Sequence, residues 1–139
     1  MSIAKTLFAT LALGTIAMSA PAFADKMKAT LNAASEVPPN ASPATGTADI
    51  DFDPATKKLS WKMTYSGLTG PATMAHFHGP AEPGKNAGVA VPIAPASSPS
   101  EGSATLTDAQ AADLVAGKYY VNVHTEANKG GEIRGQVTK

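Results

Sequence analysis

The chain has 139 residues, with 11 Lys+Arg against 11 Asp+Glu, three histidines and no cysteine. A charge balance near zero without a basic stripe argues against nucleic acid and against an anionic membrane surface as partners. The lack of cysteine removes disulfides and thiolate metal sites, so stability must come from a buried apolar core, alone or together with a metal.

The N-terminal stretch "MSIAKTLFATLALGTIAMSAPAFADK" carries one cation, Lys5, then an apolar run from Leu7 to Met18 and an A-x-A pattern at Ala22-Phe23-Ala24. The run is shorter than the ~20 apolar residues a membrane span needs, and no lipobox cysteine follows it. It reads as a secretory signal over residues 1–24, which implies a periplasmic or secreted protein with no membrane anchor. The remainder, 25–139, fits a single domain. Without Lys5 it holds 10 cations against 11 anions.

Short alternating runs separated by Pro and Gly follow. In "KMKATLN" (26–32), Met27, Ala29 and Leu31 oppose Lys26, Lys28 and Thr30. In "TADIDFD" (47–53), Ala48, Ile50 and Phe52 oppose three aspartates, and after the Asp53-Pro54 turn "LSWKMTYSG" sets Leu59, Trp61, Met63 and Tyr65 against Ser60, Lys62 and Thr64. Strict alternation marks strands with one wet face. Further strands are expected at 73–78, 88–93, 102–106, 118–124 and 131–137. Thr107-Asp108-Ala109-Gln110 is a capping box, and Gly117 suits the end of the helix it starts. The fold class is therefore all-β, an antiparallel Greek-key sandwich or barrel of about eight strands with one short helix.

All three histidines lie in two of these strands. In "TMAHFH", Met74, His76 and His78 face away from Ala75 and Phe77; in "YYVNVH", Tyr120, Asn122 and His124 face away from Val121 and Val123. If the two strands are neighbours, three imidazoles share one outward surface. Positions i and i+2 are ~7 Å apart and adjacent strands ~4.8 Å apart, close enough for three rings to converge on one ion at ~2 Å per bond. Imidazole suits copper and zinc. The candidate ligands are thus His76, His78 and His124, with Met74 as a soft extra donor. Glu132 is a further ligand or an orienting group, against the blander reading of a Glu132–Arg134 surface pair. The rival for the histidines themselves is a purely structural, hydrogen-bonded role. "GPAEPG" after His78 and "EANKGG" after His124 are the loops expected to overhang the site.

"EVPP" (36–39), "AHFHGPA" (75–81), "LVAG" (114–117) and "YYVNVHTEANKGGEIRGQV" (119–137) resemble the CHRD domain, a module of chordin that also occurs in secreted bacterial proteins. The resemblance spans nearly the whole chain from Met27 to Val137. It implies an immunoglobulin-like or superoxide-dismutase-like antiparallel β fold and assigns no site residues. The H-x-H-then-His arrangement also looks like a reduced copper–zinc superoxide dismutase, without that enzyme's further histidines, zinc aspartate and disulfide. Two functions follow. One is metal buffering or delivery through copper or zinc; the other is a metal-free module that recognises a protein or glycan. An enzyme is the weaker reading, since no G-x-S-x-G elbow or comparable nucleophile motif is present.

Overall fold

The computed structural model describes residues 23–139, so the expected signal segment lies almost wholly outside the described residues. The strands are β1 (Asp25–Asn32), β2 (Thr45–Asp53), β3 (Lys58–Ser66), β4 (Ala72–His78), β5 (Val89–Ile93), β6 (Ser100–Thr105), β7 (Tyr120–Thr125) and β8 (Ile133–Gln136). Helix α1 (Asp108–Val115) lies between β6 and β7, and a single 3-10 turn, Ala33–Ser35, follows β1. Every strand pairing is antiparallel, in the spatial order β5-β4-β7-β8-β1-β2-β3-β6. The hairpin-linked β1–β2–β3 meander has the last strand, β8, returning beside β1 in Greek-key manner. The two edges, β5 and β6, approach each other without a ladder between them, which leaves a nearly closed barrel.

Alternation decides the interior. Leu31, Ala48, Ile50, Phe52, Leu59, Met63, Phe77, Val121, Val123 and Ile133 are fully or almost fully buried. Trp61 meets Phe77 edge-on with ring centroids 5.3 Å apart. Each of these side chains other than Ala48 contributes about 1.5–3 kcal/mol on burial, enough for a domain without cross-links. Gly102 pairs with Trp61 across β3 and β6, and a Cβ there would stand 2.5 Å from the indole. Only glycine leaves that ring its space.

Both local signals around the helix hold. Thr107 accepts from the Gln110 amide at 3.2 Å while the Gln110 side chain accepts from the Thr107 amide at 3.0 Å. Gly117 takes φ +77, a left-handed turn that costs glycine little. Leu114 is the buried anchor of this two-turn connector.

The outward face of β4, β7 and β8 departs from expectation. Alternation puts it opposite the core, as predicted, yet most of it is not wet: all six β7 residues are buried, and the Met74 end of β4 is what stays open. Three segments roof it. The 79–88 loop is held by Gln136 Nε2 donating to the Ala81 carbonyl at 2.9 Å. The 33–40 segment is tied to that loop by Asn86 Nδ2 donating to the Val37 carbonyl at 3.2 Å. The third roof is the turn at 126–131. Period two says which side a residue takes; it does not say whether a loop returns to cover it.

Candidate metal centre

β4 and β7 are direct neighbours in the sheet, with Met74 opposite His124, His76 opposite Asn122 and His78 opposite Tyr120. This register puts the three histidines on one side of one ladder, and they meet: one ligand atom from each of His76, His78 and His124 lies within 4.8 Å of the others. Ring centroids are 5.3 Å apart for His76–His78, 5.1 Å for His76–His124 and 6.0 Å for His78–His124. Among the described residues they are the group of His, Asp or Glu side chains close enough to hold one ion.

The two overhanging loops fix the rings. His78 Nδ1 lies 2.9 Å from the Ala87 carbonyl oxygen, and His124 Nδ1 lies 2.8 Å from that of Lys129. A carbonyl only accepts, so both Nδ1 atoms donate, and a lone pair on either ring can stand only on Nε2. His78 Nε2 is buried with no hydrogen-bond partner. His124 Nε2 lies 3.2 Å from His76 Nδ1. Metal–nitrogen bonds of about 2.0–2.1 Å at square to tetrahedral angles separate adjacent donors by about 2.9–3.4 Å. The His76–His124 spacing falls in that range, and the orphaned His78 Nε2 supplies the third lone pair. Three imidazole nitrogens within 4.8 Å of one another are a donor set that could hold one ion, with the His78 side closing in to complete it.

Burial pushes the His76 pKa below its ordinary value, and the neighbouring His124 and His78 rings add to the effect. Burial likewise lowers His78, against the opposing pull of the Ala87 carbonyl. Neutral imidazole is the form a cation needs. His78 also stacks on Tyr120, centroids 4.8 Å apart and planes within 4°. The Arg134 guanidinium sits 3.4 Å over the same Tyr120 ring. One face cannot hold both, so Tyr120 lies between an imidazole and a cation, which fixes the His78 ring plane.

Met74 is half exposed and stands opposite His124 at the open end of the histidine row. The Glu132–Arg134 surface pair is overturned: both residues are buried, and no ion pair joins them. Arg134 donates to Asn86 Oδ1 at 3.0 Å and to the Lys85 carbonyl. Glu132 instead gathers a ring of donors. Its Oε2 accepts from the Thr69 amide at 3.0 Å and the Ser42 hydroxyl at 2.9 Å. Its Oε1 accepts from the Thr125 hydroxyl at 2.8 Å, Asn128 Nδ2 at 3.1 Å and the Thr69 hydroxyl. Burial alone would raise this carboxyl; the donors from Thr69, Thr125 and Ser42 outweigh it and hold the pKa at about 2. Through Thr125 and Asn128, Glu132 anchors the turn that presents the Lys129 carbonyl to His124.

Sequence reasoning missed the buried Glu36, whose Oε1 has no partner, and the buried Oδ1 of Asn122, which also has none. Asn122 was legible on the histidine face by alternation. Glu36 was visible only as the first letter of "EVPP", because no periodicity extends into a proline loop.

Compared with known proteins, residues 27–137 match the CHRD domain family model. No curated protein and no solved structure matches the chain.

Proposed function

The chain belongs to the CHRD domain family, and from that premise we propose that it is an exported metal-binding module holding one copper or zinc ion on His76, His78 and His124. The observation that carries the reading is the buried, unpartnered His78 Nε2, whose Nδ1 is already committed to the Ala87 carbonyl. A lone pair desolvated in this way costs free energy until a cation or a donor fills it. Two neighbouring imidazoles at ligand-edge spacing make a cation the better partner. Met74, on the open side, is the candidate soft fourth donor, which would favour copper(I). Glu132 acts on His124 at one remove, by holding the turn that orients it.

The signal-like segment 1–24 supports export of one β domain over 25–139 to the periplasm or the medium. No helix among the described residues is long and apolar enough to cross a membrane. The chemistry offered is capture and release of an ion, hence buffering or delivery. The test is titration of the protein with Cu(II), Cu(I) and Zn(II), alongside His76→Ala and His124→Ala. Saturation at one equivalent in the parent and its loss in both variants is the expected result. Equal binding in all three proteins would overturn the assignment.

A further inference from the structure

A cation brought to three imidazole lone pairs gains no compensating charge from its ligands. One cation already stands close, because Arg134 is buried and separated from His78 by a single ring. Burying a further charge is costly unless an anion is at hand. Only two buried carboxyl groups are found among the described residues, Glu36 and Glu132. Glu132 is a carboxylate already, with both oxygens taken up by donors, so it has no proton to release when an ion arrives. Glu36 is 4 % exposed, and its Oε1 has no hydrogen-bond partner.

Glu36 reaches the histidines through Asn122. Asn122 lies opposite His76 in the ladder, on the histidine face, and its amide acts on both Glu36 and His78. No hydrogen bond of ordinary geometry closes the row, so Glu36 Oε1, Asn122 Oδ1 and His78 Nε2 are all left buried and unsatisfied. Gly131 makes room for the arrangement. A Cβ on it would come within 2.4 Å of Glu36 Oε1 and 2.6 Å of Asn122 Nδ2, and its φ of +128 disfavours any side chain.

We propose that Glu36 is the counter-charge of the histidine site, a carboxyl that gives up its proton when a divalent ion binds and so selects dications over monocations. This rests on the metal reading above. Burial raises the Glu36 pKa to about 7, with Arg134, the Val37 amide and Asn122 pulling the other way. The metal-free group is therefore poised to hold or lose a proton near neutrality. Arg134 on β8 is the charged group that acts on it. β7 contributes the neutral Asn122, and β4 contributes His78 through that amide. Grooves on either side, one by Pro83 and Gly84 and the other by Asn128 and Gly130, give the proton an exit.

The test compares parent and Glu36→Gln. Calorimetry with Zn(II), in buffers of different ionisation enthalpy at about pH 6, counts released protons. The parent should release about one more proton per zinc than the variant. Near pH 8, where the parent carboxyl is charged, the variant should bind Zn(II) about tenfold more weakly and Cu(I) only about threefold, because the Coulomb effect scales with ion charge. Equal proton release together with an unchanged Zn(II)/Cu(I) ratio overturns the counter-charge role and leaves the metal site standing. A parent that binds no metal overturns both. A carbon-13 NMR titration of Glu36 in the metal-free parent needs no variant: a midpoint well above the usual carboxyl range is expected, and an ordinary one would refute the proposal.

Discussion

Glu132→Gln removes one charge and almost no volume, so it isolates what the buried carboxylate contributes. In the parent each oxygen faces one donor that no hydroxyl rotation can relieve, the Thr69 amide on Oε2 and Asn128 Nδ2 on Oε1. Whichever position the new NH2 group takes, it confronts one of them. The depression of the carboxyl from 4.5 to about 2 corresponds to about 3 kcal/mol, at about 1.4 kcal/mol per pKa unit. Because the folded pKa lies below the unfolded one, that stability is fully present above about pH 4.5 and is lost as pH falls through about 2. Guanidinium unfolding followed by Trp61 fluorescence should put the variant about 3 kcal/mol below the parent near neutral pH, with the gap closing toward pH 2. A deficit under about 1 kcal/mol, or one of the same size at both pH extremes, would refute the reasoning.

Two further substitutions test the packing and the cap. Gly102→Ala drives a methyl group into the Trp61 indole, 2.5 Å from its nearest ring atom, and should cost about 2 kcal/mol with a changed Trp61 emission; unaltered fluorescence and melting would contradict the close approach. Thr107→Ala removes the acceptor of the Gln110 amide and should cost about 1 kcal/mol in thermal unfolding, leaving the histidine spectra untouched; a loss of histidine signals would contradict the connector role of α1.

Most of the barrel was written in local alternation. Met27-Ala29-Leu31, Ala48-Ile50-Phe52 and Leu59-Trp61-Met63 each marked their inward side, and the neighbouring polar residues marked the outward one. The capping box and Gly117 fixed the helix because both act through the backbone within one turn. The meeting of His76, His78 and His124 was legible in two steps, the shared face within each strand and the supposition that the strands pair. The roof was not legible. Glu132 and Arg134 look like a surface pair in any alternating strand, and only the return of residues 33–40 and 79–88 over β7 and β8 converts them into an anchor and a stacking cation. Long-range loop closure has no period to read. Glu36 belongs to the same class, a charged letter in a proline loop whose burial depends on Asn122, Gly131 and Arg134, nearly a hundred residues away.

The central claim concerns two lone pairs, those on Nε2 of His78 and His124. Long-range proton–nitrogen NMR of the histidine rings during titration with Zn(II) observes them directly. The account predicts that both Nε2 resonances shift together and saturate at one equivalent, while both Nδ1 atoms stay protonated against the Ala87 and Lys129 carbonyls. Movement of a single ring, or loss of the Nδ1 protons in place of an Nε2 shift, would contradict it.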